Sequence, residues 1–135
     1  QLNQFELVLR KPASKPNKVR SKRTEKNLDA AIKEFAKELP YKAGAYASRA
    51  WGHPLHSLCS YQGKLKPSLA YWLVKTFVQP GSRVLDPLGG VGTIPFEAAM
   101  AGHQVVSNDK SPFASLIAAA KLNPPTLNEA LGELE

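Results

Sequence analysis

Cysteine is almost missing from this chain. Cys59 stands alone among 135 residues, which rules out an internal disulfide, so the fold has to rest on a packed core; a single thiol also agrees with a reducing compartment. Long apolar runs are missing as well, since none approaches the roughly 18 residues that a membrane-spanning helix requires. The opening Gln1-Leu-Asn-Gln-Phe5 has neither the charged start nor the apolar stretch of a secretion signal. These absences give the expectation of a soluble, cytoplasmic chain with no membrane partner. Acidic residues are thin, 11 Asp and Glu against 18 Lys and Arg, for a formal net charge of +7. The shortage is local. Arg10, Lys11, Lys15, Lys18, Arg20, Lys22, Arg23 and Lys26 fall in one stretch whose single acid is Glu25. Solubility accounts for a diffuse excess of charge, but a segment this dense can neutralise phosphates, which makes Arg10, Lys11, Lys15, Lys18, Arg20, Lys22 and Arg23 candidate nucleic-acid contacts.

Glycine, by contrast, is clustered. In Arg83-Val-Leu-Asp-Pro-Leu-Gly-Gly-Val-Gly-Thr-Ile-Pro-Phe-Glu97 a short apolar run ends in an acid, then three glycines and a helix start follow at once. Val84 and Leu85 read as the end of a buried strand, Gly89, Gly90 and Gly92 as a sharp turn that lets backbone approach a ligand, and Thr93 with Pro95 as a first helical turn. Ligands of open parallel sheets bind outside the carboxyl ends of the strands, next to such a helix N-terminus. Two nucleotide motifs are missing here. A dinucleotide fingerprint needs a glycine where Pro95 stands, and a phosphate-cradling loop needs a Lys-Ser/Thr pair that Thr93-Ile94 does not supply. What remains is Asp86, the Gly90-x-Gly92 turn, and Asp109 closing the next apolar run, Gln104-Val-Val-Ser-Asn-Asp109. An acid about 20 residues past the glycine loop is where a ribose diol is gripped. A nucleoside without a phosphate to cradle fits S-adenosylmethionine.

At these residues the chain resembles a known family. Asp86-Pro-Leu-Gly-Gly-Val-Gly-Thr93 is similar to the Asp-Pro-Phe-x-Gly-Ser-Gly-Thr cofactor loop of the amino-group DNA methyltransferases that modify adenine N6 or cytosine N4, with Leu88, Gly89 and Val91 departing from that pattern. Asn108-Asp-Lys-Ser-Pro-Phe-Ala114 resembles their following Asp-x-x-Pro-x-Ala segment, and Tyr61-Gln-Gly-Lys-Leu-Lys-Pro-Ser-Leu69 their upstream Tyr-x-x-Lys-x-x-Pro segment. The resemblance covers roughly residues 57 to 122. It implies the cofactor S-adenosylmethionine, held by Tyr61, Lys64, Pro67, Asp86, Leu88, Gly90, Gly92, Thr93, Asp109 and Lys110. Asp109 would take the ribose hydroxyls, Lys110 would flank the adenine, Asp86 would lie near the methionine amino group, and Tyr61, Lys64 and Pro67 would close over the methionine side.

The fold class that follows is α/β, a partial Rossmann-like class I methyltransferase fold running helix, strand, helix, strand, helix behind a basic arm and a leading amphipathic helix. At 43% hydrophobic content the chain has apolar material for one core and not for two. Residues 1–24 read as a flexible basic arm broken by Pro12 and Pro16. Residues 25–60 read as an amphipathic helix, with Leu28, Ile32, Phe35, Ala36 and Leu39 on its buried face, followed by an ordered loop. Residues 61–135 read as the cofactor-binding part, its first helix opened by Pro67, with Leu69, Trp72, Leu73 and Phe77 facing inward. Helices are expected over residues 93–101, 113–121 and 127–134, with Val105 and Val106 in a second strand. Phe5-Glu-Leu-Val-Leu9 reads as a short strand or docking segment.

Three groups invite other chemistry. His53-x-x-His56-x-x-Cys59 has ligand-like residues, but a zinc site wants four well-spaced ligands and only distant His103 is left, so the expectation is loop packing and no metal. Cys59 as a methylating nucleophile would resemble cytosine-C5 enzymes, whose Pro-Cys pair comes late in the chain; here Leu58 precedes it, and a structural thiol is expected. Asn123-Pro-Pro-Thr126 resembles the catalytic Pro-Pro-aromatic segment of the amino-methyltransferases but lacks the aromatic, and is expected to stop one helix and start another. No catalytic residue is therefore assigned. The chain is expected to be an incomplete enzyme, inactive alone, acting on DNA ahead of RNA with a complementary subunit or as a homodimer. An RNA or tRNA methyltransferase fragment and a non-catalytic nucleic-acid-binding module are the alternatives.

Overall fold

The computed structural model describes residues 7–9 and 25–134. Apart from Leu7–Leu9 the basic arm over residues 1–24, and with it every candidate nucleic-acid contact from Arg10 to Arg23, lies outside the described residues. Among the described residues eight α-helices and strands follow in the order β1 (Leu7–Leu9), α1 (Glu25–Glu38), α2 (Pro67–Phe77), β2 (Arg83–Asp86), α3 (Thr93–Met100), β3 (Gln104–Ser107), α4 (Pro112–Leu122) and α5 (Leu127–Gly132). The segment between α1 and α2, expected as irregular loop, winds into three short 3-10 turns, Pro40–Lys42, Gly44–Ala47 and Pro54–Ser57. Two of them open at a proline, which fixes the backbone angle a tight turn needs.

The strands β2 and β3 pair in parallel, Val84 opposite Val105 and Asp86 opposite Ser107. A parallel pair requires a crossover, and α3 supplies it. Proline at the helix's third position costs nothing, because the first four amides have no intrahelical acceptor anyway. The sheet order is β1-β3-β2, with β1 antiparallel to β3. Of the segment expected as a strand or docking element, Leu7–Leu9 is described and forms a strand on the far side of β3. The outer edge of β2 has no strand partner among the described residues.

The core forms where α2, α3 and α4 meet β3. Val74, Phe96, Ala98, Val105 and Leu122 form it, with Leu55, Val78, Val84 and Ile94 packed around them. On α2 the deepest residues are Ser68, Ala70 and Val74; Leu69, Trp72, Leu73 and Phe77, the expected inward set, are half-buried. Small side chains let helices approach closely, so α2 turns its alanine side inward and leaves its rings at the margin.

Two expectations about burial fail for one reason. Leu85 was expected inside a buried strand, yet it is 66% exposed, because alternation along β2 sends it to the face opposite Val84, where no described helix covers it. On α1 the apolar stripe exists, but Leu28 and Ile32 are exposed and only the C-terminal end is anchored. Phe35 packs there between Tyr41 and Phe77, with ring centroids 6.2 and 5.5 Å away. A hydrophobic period shows which residues share a face, and coverage of that face depends on what else folds against it. No described helix is long and apolar enough to cross a membrane.

Candidate functional site

At the carboxyl end of β2 the chain must leave the sheet, pass the glycines and enter α3. Asp86 starts this turn by accepting the amide of Leu88 on Oδ1 at 3.2 Å. The loop is then stitched to the end of β3: Asn108 donates its amide to the Asp86 carbonyl and Gly89 donates to the Asn108 carbonyl, each at 2.9 Å. Gly90 follows in the left-handed region at φ 50°, and its amide donates to Asp109 Oδ2 at 2.9 Å. The other oxygen of Asp109 accepts the Ser111 amide at 2.9 Å, so this one carboxylate ties the glycine loop to the start of α4. An ionised carboxylate accepts about four hydrogen bonds, which leaves Asp109 capacity beyond these two.

Beside the loop lies a cavity of about 250 Å³, bounded by Tyr61, Gly63, Lys64 and Leu65 on one side and by Asp86, Leu88, Gly89, Gly90, Val91, Thr93 and Ile94 on the other. Of the residues singled out from sequence, the structure brings Tyr61, Lys64, Asp86, Leu88, Gly90 and Thr93 to this wall. Pro67, Gly92, Asp109 and Lys110 are not on it. Pro67 opens α2, Gly92 caps α3, and Lys110 is exposed past the end of β3. Lys64 is held in place by donating to the carbonyls of His56 at 2.8 Å and Cys59 at 3.2 Å. The Tyr61 ring lies near Gly90 and stacks on Phe113 with centroids 6.4 Å apart.

The amides of Gly89, Gly90 and Gly92 all have acceptors within the protein. Main-chain donation to a ligand from these three, the reading suggested by the glycine cluster, is already spent on internal bonds. Gly92 is needed for packing. It adopts φ 75°, and a Cβ there would come within 2.9 Å of Ala118 Cβ and 3.1 Å of its Cα, so α4 crosses over this residue.

Sequence reasoning passed over a buried lysine behind the site. Lys121, in the last turn of α4 and 1% exposed, donates from Nζ to the Val91 carbonyl at 2.7 Å. Burial is the main cause of its lowered pKa; the nearby Lys64 cation adds to that, and Cys59 acts in the opposite direction. The signal was its register, three and seven residues beyond the buried Ala118 and Ala114. His56 and Glu97 form a second buried pair, Nε2 to Oε1 at 2.7 Å, with the His56 ring edge-on to Phe96. His53 also packs on Phe96, and Cys59 is a free, half-buried thiol. Among the described residues no group of three or more His, Cys, Asp or Glu is placed to hold a metal. Asn123 ends α4, and Thr126 opens α5 as the N-cap of a capping box with Glu129, whose carboxyl is held below the usual range by the Thr126 backbone and hydroxyl hydrogen bonds.

Comparison with known proteins places the same region. The model of the RMKL-like methyltransferase domain matches residues 56–130, which takes in the whole cavity wall. The type II methyltransferase M.MjaII of Methanocaldococcus jannaschii is 34% identical over 68 residues, 50% of this chain and 13% of the relative. The chain thus spans a small fraction of that relative's length. No solved structure matches the chain.

Proposed function

We propose, from the premise that this chain belongs to the RMKL-like methyltransferase domain family, that it is the S-adenosylmethionine-binding part of an amino-group DNA methyltransferase acting on adenine N6 or cytosine N4. The observation that carries the reading is the cavity at the end of β2, walled by Tyr61, Lys64, Asp86 and Gly90 from two separate motifs. The M. jannaschii relative, a type II methyltransferase by name, favours the DNA reading over an RNA one.

The residues present fit the cofactor. A volume of about 250 Å³ falls below the roughly 300–1,000 Å³ of whole-ligand sites, so the cavity takes one end of an extended molecule. Asp86 supplies a carboxylate for the methionine ammonium, and the ring of Tyr61 with the stem of Lys64 covers that end. The remaining lone pairs of Asp109 serve the ribose hydroxyls, with Lys110 beside the adenine. When bound, S-adenosylmethionine supplies an electrophilic methyl group; the chain's own part is to hold and orient it.

The division into a basic arm over residues 1–24, an N-terminal helix and turns over 25–60 and a cofactor part over 61–135 belongs to the same proposal, with Arg10, Lys11, Lys15, Lys18, Arg20, Lys22 and Arg23 contacting nucleic acid phosphates. So does a strand partner for β2, whose outer edge has no partner among the described residues and suits pairing with a further strand from a complementary subunit or a second copy. A strictly monomeric chain in sedimentation would remove the second copy.

Calorimetric titration with S-adenosylmethionine tests the central reading. Asp109→Ala should weaken binding by about 1.5–3 kcal/mol, the range for a hydrogen bond to a charged group. Equal affinity in wild type and variant would eliminate the ribose contact, and no binding by the wild type would eliminate the function.

A further inference from the structure

Between Glu38 and Asp86 the chain has no acidic residue at all, while Lys42, Arg49, Lys64, Lys66, Lys75 and Arg83 fall in that interval. Both tryptophans of the chain, Trp51 and Trp72, are there too. The fold brings the aromatic residues of this acid-free stretch together. Tyr46 has its ring centroid 5.0 Å from Trp51, 5.7 Å from Tyr71 and 5.3 Å from Trp72, and Trp51 lies 5.2 Å from Tyr71. A core would bury such rings, yet all four remain partly exposed. Cations accompany them. Lys75 is exposed and holds Nζ 4.6 Å over the Trp72 ring and 5.4 Å over Tyr71, and exposed Arg49 precedes Trp51 by two residues. Lys66 Nζ donates to the carbonyl of Ala47, next to Tyr46 in the chain. None of these residues lines the cavity at β2.

We infer that this patch is a binding site for single-stranded nucleic acid, where unpaired bases stack on Trp51 and Tyr71 while Arg49 and Lys75 meet the phosphates. Every base has a π-face, so a ring platform accepts any sequence, and Arg or Lys beside the rings supplies the charge that follows the backbone. A paired duplex keeps its bases stacked on one another and offers the platform nothing but phosphates. A membrane surface would call for exposed aliphatic side chains next to the rings; none of the large exposed hydrophobic residues falls within residues 40–57 or 66–77. The site is independent of cofactor binding, and a failure here leaves the reading of the β2 cavity as it stands.

The test uses the full chain and a labelled oligothymidylate, followed by anisotropy and by emission of the two tryptophans, both of which report from the patch. Single strands should quench that emission and bind more tightly than a duplex of equal length. Trp51→Ala should weaken single-strand binding about five- to a hundredfold, Trp51→Phe should largely restore it, and Lys75→Gln should lower the slope of log affinity against log salt by about 1. Lys75 is exposed, so its variant tests the site even if Trp51→Ala fails to fold. Unchanged affinity in Trp51→Ala with an unchanged salt slope in Lys75→Gln would overturn the proposal. Equal affinity for duplex, or quenching by anionic phospholipid vesicles and not by oligonucleotide, would overturn it as well.

Discussion

Gly90 and Gly92 stand two residues apart in one loop, both with positive φ, and they face different things. A side chain at Gly90 would meet a carbon of the Tyr61 ring at 3.6 Å, ordinary contact distance, and would project toward the cavity wall; one at Gly92 would run into Ala118 at 2.9 Å. The loop therefore has an open half that shapes a binding space and a closed half that lets α4 cross α3. Between them the Val91 carbonyl is pinned by the buried Lys121. A glycine motif read as a single ligand-binding device is here two devices sharing one turn, and the packing half constrains where the open half can lie.

The largest effect should come from breaking the closed half. Gly92→Ala combines a left-handed backbone, worth about 1–2 kcal/mol for a residue with a Cβ, with overpacking worth about 1–3 kcal/mol, so a total loss of about 2–5 kcal/mol is expected in urea unfolding. Adding Ala118→Gly removes the atom at 2.9 Å and should return part of that loss, while the Cα at 3.1 Å and the φ penalty remain. A double variant no better than Gly92→Ala would mean that α4 does not cross where the geometry puts it.

Gly90→Ala should be milder for stability and sharper for binding. Its φ of 50° leaves only the backbone penalty of about 1–2 kcal/mol, since the new methyl meets nothing closer than the Tyr61 ring. Affinity for S-adenosylmethionine should fall about tenfold, equivalent to about 1.4 kcal/mol, because the methyl narrows a small cavity. If Gly90→Ala costs the larger share of stability while its folded form binds normally, and Gly92→Ala does the reverse, the two halves have been assigned the wrong way round.

How much of this was legible beforehand follows from where each signal resides. Tyr61, Lys64, Asp86, Leu88, Gly90 and Thr93 reached the cavity wall because each belongs to a local motif with fixed spacing, and local spacing survives folding. Gly63, Leu65, Val91 and Ile94 were given no ligand contact although they adjoin those residues, since a wall is lined by a loop's neighbours as much as by its named members. The His56–Glu97 pair spans 41 residues, and no periodicity announces a contact of that separation. Burial was misjudged at Leu28, Ile32 and Leu85 for a similar reason: period marks a face, and only the tertiary arrangement covers it. Leu7–Leu9 could be seen as a strand, while its place on the β3 edge depended on a register no local pattern carries.

The smallest effect concerns the pin between the two halves. Burial lowers the Lys121 pKa from 10.5, so the folded chain releases this proton at a lower pH than the unfolded chain does. Between the lowered value and 10.5 the unfolded chain holds more protons, and stability must rise with pH across that window by at most about 1.4 kcal/mol per pH unit for one group. Below the window both states are protonated and the group contributes a constant penalty for a buried cation, offset by its bond to Val91. Lys121→Met removes the charge and keeps the apolar stem's volume, so its stability should be flatter over that range than wild type. Contributions from the rest of the chain are common to both proteins and largely cancel in the difference. Lost hydrogen bonding at the Val91 carbonyl should also loosen the open half, so the variant's S-adenosylmethionine affinity should fall slightly while its fold persists. Identical pH slopes in the two proteins would show that Nζ stays as well solvated as in the unfolded chain, and the two halves of the loop would then be joined by the backbone alone.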